Sequence, residues 1–354
     1  MIEFKERMRI HQIKWRKKYL PNIIGNGWQN GKSYEHILPK KYQVHNFYPE
    51  IQESLFNYLK DNEIQHHTGI HNLLSSWAVC SNFYWPFNNA DGHNLLADYL
   101  NQFLSLNIKK IISIDLEYLD NEQCLSPSQL LGEDNGIRGS GQTSPDLAII
   151  FVNSNSEKGI LLVESKFTEH SFYSCSGYSK IKPGKPINPD KKRCLDTKGL
   201  LKSEFKNCHL LAWERKYWDI LKDDLNKILF KKLKRCPMSL SCYQLFRQQA
   251  LSKGYEQKYK ISISCVFTDS RNEKLINSVC STGLNFLPNG WQELFPNLPF
   301  NWMTHNNWFN FVKENNLNGK WNNWIKYIEC RYINMVKINF YYLNKHKINA
   351  VNAS

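Results

Sequence analysis

Two carboxylates and one ammonium, Asp146, Glu164 and Lys166, are the residues of this chain whose types and spacing could do chemistry together. Asp146 opens a short apolar run, Asp146 to Val152, and Glu164 and Lys166 close a second one, Ile160 to Lys166. The polar stretch between the runs, Asn153 to Gly159, is rich in Asn, Ser and Gly and reads as a hairpin connection. Residues two apart on a strand face the same way, so Glu164 and Lys166 share a face while Val163 and Ser165 take the other. A hairpin symmetric about Ser156 puts Asp146 opposite Lys166 and diagonal to Glu164, with the small Ala148 opposite Glu164. Opposite pairs are ~5 Å apart and diagonal ones ~7–8 Å, within reach of one shared cation. Neighbouring carboxylates repel, and an oxygen-seeking dication is the usual compensation. Mg²⁺ fits best, since it takes one or two carboxylates and keeps waters, and Mn²⁺ can stand in for it. The expected chemistry is attack of an activated water on a phosphodiester. Asp146 and Glu164 hold the metal, and Lys166 orients the water and offsets charge on the phosphate. The competing reading is structural: Asp146 caps a strand start, and Glu164 and Lys166 form an edge salt pair.

The surrounding pattern supplies elements to position these groups. Amphipathic helices are expected over Phe4 to Leu20, Pro49 to Lys60 and His93 to Leu106, and His71 to Trp85 is a strongly apolar, aromatic segment. Lys109 to Leu119 alternates as a strand, Pro127 to Ser144 is a Gly- and Ser-rich loop, and the hairpin follows. Helical patterns return at Tyr217 to Leu233 and Leu240 to Lys253, and Ile261 to Phe267 is a buried strand. The order helix, three strands, helix, strand implies a sheet covered by helices, with its last strand reached through a crossover. After about Phe286 the chain is rich in Trp, Asn and Phe, with helical patches around Trp308 and Trp324.

Ser144-Pro145-Asp146, followed after seventeen intervening residues by Glu164-Ser165-Lys166, resembles the PD-(D/E)xK nuclease superfamily. More locally, Glu164 to Cys175 (ESKFTEHSFYSC), Cys236-Pro237 and Tyr243 to Leu251 (YQLFRQQAL) are similar to a group of restriction-like endonucleases. The resemblance covers roughly residues 75 to 285. It implies an α/β fold, a restriction-endonuclease-like core with a mixed β-sheet flanked by helices, plus N- and C-terminal helical additions. The expected organisation is a helical region at 1–90, the nuclease core at 91–285 and a helical region at 286–354. The activity implied is a Mg²⁺-dependent DNA endonuclease serving restriction or another defence system. Two alternatives stand beside it: a catalytically silent DNA-binding protein of the same fold, and a repair or recombination nuclease acting on branched or single-stranded DNA. The intact Asp146, Glu164 and Lys166 set argues against silence.

Nucleases of this type often recruit a further acid N-terminal to the motif. Glu117 and Glu133 are the candidates, and Glu133 is preferred because it introduces the Gly-rich loop leading to Asp146. Gln244, Arg247 and Gln248 fall on one helix face, so Gln244 and Arg247 are candidate phosphate contacts; a merely solvated face is the alternative. Glu169 is a candidate support for Lys166. Cys175, Cys194, Cys208 and Cys236 could ligate zinc or an iron–sulfur cluster, as in some members of the superfamily. They lack any C-x2-C pair, which favours buried thiols instead.

Bulk properties narrow the classes. Hydrophobic residues make up 42% of the 354, enough for a sizeable core. Forty-six Lys and Arg against 32 Asp and Glu give a net charge of +14, which permits a polyanionic partner such as DNA. The bias towards Lys, Asn and Ile is also what an AT-rich genome gives, so the charge is permissive only. No apolar run approaches the ~18–20 residues of a membrane span. Met1 to Leu20 lacks the apolar stretch of a signal peptide, so a cytoplasmic protein is expected. A homodimer is compatible with the sequence. The eleven tryptophans are expected to serve mainly in the core rather than as stacking platforms for bases.

Overall fold

The computed structural model describes residues 3–179 and 184–335. The end of the C-terminal region, 336–354, lies outside them. Among the described residues, seven strands and a set of helices make an α/β architecture. A two-stranded ribbon comes first, β1 (Gly27–Gln29) with β2 (Lys32–Tyr34). The main sheet has five strands in the order β3 (Ile108–Leu116), β4 (Leu147–Asn153), β5 (Lys158–Lys166), β6 (Ile261–Thr268) and β7 (Phe300–Thr304). β3, β4 and β5 run antiparallel to their neighbours, whereas β5, β6 and β7 pair in parallel, so the sheet is mixed. A strand joined in parallel needs a long crossover, and residues 167–260 provide one. This is the expected restriction-endonuclease-like core, with helices on both faces. Its fifth strand, Phe300–Thr304, comes from the stretch read as purely helical.

Alternation along the strands separates two cores. Leu147, Ile149, Phe151, Leu161 and Val163 face one apolar layer. That layer is built from both ends of the chain: α1 (Phe4–Tyr19), α2 (Gln52–Asp61), α3 (Ser76–Tyr84), α4 (Ala90–Leu104) and, from after the sheet, residues 305–333. Ala148, Ile150, Ile160 and Leu162 face the other layer, made of the crossover and its longest helix, α5 (Tyr243–Tyr255). The C-terminal helices are α6 (His305–Glu314) and α7 (Asn322–Ile328). Caps fix several starts: Ser75 accepts from Ala78 N, Asn89 from Gly92 N and Thr304 from Asn307 N. The expected helix over Tyr217 to Leu233 is two short pieces, Tyr217–Leu221 and Lys227–Lys232, the second capped by Asn226. Trp291, Trp308 and Trp324 are fully buried. Among the described residues no helix is long and apolar enough to cross a membrane.

Candidate active site

The hairpin that carries the acids turns one residue earlier than symmetry about Ser156 requires. Asn153 Oδ1 accepts from the backbone N–H groups of Asn155 and Glu157, at 3.0 and 2.9 Å, and this centres the turn on Asn155. The register is therefore Leu147 with Val163 and Ala148 with Leu162. One step beyond, Asp146 lies level with Glu164 rather than with Lys166, and Ala148 is opposite Leu162 rather than Glu164. The change brings the two carboxylates closer than the sequence suggested. The Ser165 N–H holds Asp146, donating to Oδ2 at 2.7 Å.

The row continues across β3. Leu116 pairs with Leu147, and the Glu117 N–H donates to the Asp146 carbonyl at 3.3 Å. Glu117 leaves the strand with φ 47°, a left-handed conformation that a non-glycine residue seldom takes. Glu117, Asp146 and Glu164 thus form one line across the ends of three adjacent strands. Glu117, Glu164 and Lys166 are buried, and Asp146 is partly so. Lys166 Nζ donates to Glu164 Oε1 at 2.6 Å, and its ammonium lies over the Phe172 and Tyr173 rings, at 5.8 and 5.6 Å.

Three carboxylates share this recess with one ammonium. Burial, then repulsion from Glu164 and Glu117, holds the Asp146 carboxyl well above the usual range despite the pull of Lys166. Burial also pushes Glu117 up to about 7, with Glu164 adding repulsion and Ser144 and Trp77 offsetting part of it. For Lys166, burial favours the neutral amine, but the carboxylates of Glu164, Glu169 and Asp146 outweigh it and keep the ammonium charged. Positive charge is in deficit here. A dication would redress it.

The donor set suits a hard cation. Carboxylates of Asp146 and Glu164 are oxygen donors, and Gln244 adds another feature: its Nε2 donates to Glu164 Oε1 at 2.8 Å, while its buried Oε1 has no hydrogen-bond partner. No group of three or more His, Cys, Asp or Glu among the described residues is arranged to hold a metal ion, so the acids would serve as a pair. One or two carboxylates with waters are within what Mg²⁺ accepts. The helix that carries Gln244, α5, is pinned to β5 and β6 one turn on, where Gln248 Nε2 donates to the Leu162 and Cys265 carbonyls at 2.9 and 2.8 Å. Two adjoining cavities of about 580 and 140 Å³ meet at the row and share His67, Asp146, Glu164 and Gln244.

The structure does not bring Glu133 to this row. Its carboxylate accepts from Thr143 N at 2.5 Å, from the Thr143 hydroxyl, from Tyr217 OH at 2.7 Å and from Arg247 Nε at 3.3 Å. Burial alone would raise its pKa, but Arg247, Thr143 and Tyr217 together hold it below the usual value. A carboxylate so fully engaged anchors the loop leading to Asp146. Glu117 is the acid at the row, and Arg247 spends its charge on Glu133 while lining the smaller cavity. Glu169 lines the larger cavity and accepts from Phe167 N at 2.8 Å.

The four cysteines gather in the crossover layer. Cys175 and Cys236 are buried, Cys194 and Cys208 pack against the same apolar cluster, and the Cys236 N–H donates to the Cys194 carbonyl at 2.8 Å. Burial raises the Cys208 thiol to about 11, and burial with the neighbouring Cys194, Cys208 and Cys175 raises the Cys236 thiol well above its usual value. They too are outside any assembled ligand set among the described residues.

A family model described as restriction endonuclease associating with ARP matches residues 5–333. The chain belongs to this family. The match runs through the ribbon, both helical layers and the sheet, so the restriction endonuclease family spans the regions on either side of the acid row as well as the row itself. No curated protein and no solved structure matches the chain.

Proposed function

We propose that the protein is a metal-dependent DNA endonuclease of the PD-(D/E)xK type, working in restriction or a related defence. The observation that carries this reading is the row Glu117, Asp146 and Glu164 with Lys166 beside it, where two adjoining cavities meet. Membership of a restriction endonuclease family supports it. Asp146 and Glu164 would hold Mg²⁺ or Mn²⁺, which supplies positive charge and an acidified water for phosphodiester hydrolysis.

The chain's own residues do the rest. The Ser165 N–H fixes the Asp146 carboxylate, and Gln244 fixes Glu164, so both donors keep their aim without metal. The Lys166 ammonium, held charged by its carboxylate neighbours, orients the attacking water and offsets charge developing on the phosphate. With Lys166 cationic, the carboxyls of Glu117 and Asp146, both raised by burial and by repulsion from Glu164, are the groups of the row inclined to hold a proton before a cation binds. DNA is the substrate proposed, in line with the net charge of +14. The ARP of the family description is carried over as a proposed partner.

The test is cleavage of supercoiled plasmid with Mg²⁺, with Mn²⁺ and with a chelator. Nicking or linearisation that needs the dication and vanishes in Asp146→Asn is expected. Undiminished cutting in the chelator would overturn the reading.

A further inference from the structure

Trp28 is the exception among the eleven tryptophans. It is 67% exposed, whereas every other one is at least partly buried. It sits on β1 and lines the same cavity as Asp146, Glu164 and Lys166. Its neighbours Gln29 and Asn30 line that wall too and are likewise exposed.

The ribbon that presents Trp28 is rigidly mounted. Its turn is Asn30-Gly31, with φ 50° and 75°, the two-residue primed type that matches strand twist. At its base the Gly27 N–H donates to the Ile37 carbonyl at 2.7 Å, and a Cβ on Gly27 would lie 2.3 Å from the Leu38 carbonyl oxygen. Arg16 ties the base together, donating to the Glu35 carbonyl at 2.6 Å, to Asn26 Oδ1 at 3.0 Å and to the Gly25 carbonyl. A large indole left in water on a preorganised wall of the cavity that Asp146, Glu164 and Lys166 also line is placed for a flat ligand attached to the phosphate they would cut.

We infer that Trp28 is a substrate-positioning residue that stacks on a nucleobase next to the scissile phosphate. The inference rests on the nuclease reading and adds the form of DNA that it takes. A base inside a duplex has both faces covered by neighbouring bases. The base received by Trp28 is therefore out of the helical stack, in a single strand or at a locally opened site. The side chains of Gln29 and Asn30, beside it, supply donors and acceptors for the exposed base edge.

Anisotropy of a labelled single strand and of its duplex, without divalent metal, measures this in wild type, Trp28→Ala and Trp28→Phe. Plasmid cleavage with Mg²⁺ is run alongside. Trp28→Ala should bind the single strand about five- to a hundredfold more weakly and the duplex nearly as wild type, with Trp28→Phe restoring most of the affinity. A 2-aminopurine walked along the strand should be quenched at one position by wild type and not by Trp28→Ala. If wild type cuts DNA but Trp28→Ala binds the single strand equally well, or loses both substrates alike, the inference is overturned and the nuclease reading stands. If wild type neither binds nor cuts DNA, both fall together.

Discussion

At the residue scale, the acids and the lysine of the row divide the work, and substitution should separate them. Asp146→Asn keeps shape and the Ser165 contact but removes a donor charge. Cleavage should fall by at least about a hundredfold, while apo DNA affinity is unchanged or tighter because a charge repelling phosphate has gone. Lys166→Ala should cost about as much in rate yet leave Mg²⁺ affinity, read by calorimetry, close to wild type. An equal loss of metal binding in both variants would make Lys166 a structural partner of Glu164 only. Glu117→Gln and Glu133→Gln make a second pair. The first should lower the rate of folded protein with little change in stability. The second should leave the rate per folded molecule and cost about 2–4 kcal/mol in urea unfolding, because Arg247 loses its buried counter-charge.

At the element scale, the hairpin was legible from its two apolar runs and polar turn, and with it Asp146, Glu164 and Lys166. The register was not. It depends on Asn153 gripping Asn155 and Glu157, a side-chain choice that composition does not announce. Glu117 was weighed and set behind Glu133, because closeness along the chain favours the loop residue. Only the third strand, and the left-handed step at Glu117, puts that acid in line. β7 was hidden by its brevity, and Asn301 and Thr304 leave it no clear apolar alternation. It matters, because it delivers His305, the first residue of α6, behind β5. His305 meets Tyr84 OH at 3.2 Å and Ser165 Oγ at 3.5 Å. Burial lowers His305 and His36 from 6.5 to about 4. At these two histidines the unfolded chain binds more protons than the folded one between pH 6.5 and 4, so the stability they contribute is lost as pH falls through that window, whereas the raised carboxyls of Glu117 and Asp146 act in the opposite sense. Any drop in the urea midpoint from pH 7 to pH 5 should be smaller in His305→Gln than in wild type. An equal drop in the variant would show that His305 is no part of the acid response.

At the scale of the whole molecule, the two ends of the chain make one layer, and Arg331 is its clasp. The side chain is fully buried, with its guanidinium over the Trp15 ring at 4.4 Å and donating to the Asn46 carbonyl at 2.8 Å. Its own carbonyl accepts from Gln12 Nε2 at 2.8 Å. Arg331→Met should cost about 2–5 kcal/mol, since Asn46 Oδ1 and Gln12 Oε1, which accept from the guanidinium, would be left as unmet buried acceptors. Chemical unfolding followed by tryptophan fluorescence measures it, and an unchanged midpoint would mean that apolar packing alone joins the ends.

That clasp has a consequence for the order in which the molecule is assembled. Strands β3 to β5, with the whole acid row, leave the ribosome early and can pair from local contacts. The wall bearing Trp28 is tied through Arg16 to α1, and α1 also meets the far end of the layer where Gln12 reaches residue 331, a separation of 319 along the chain. On the nuclease reading proposed above, a nascent polypeptide carries its acid row well before the cavity around that row is complete.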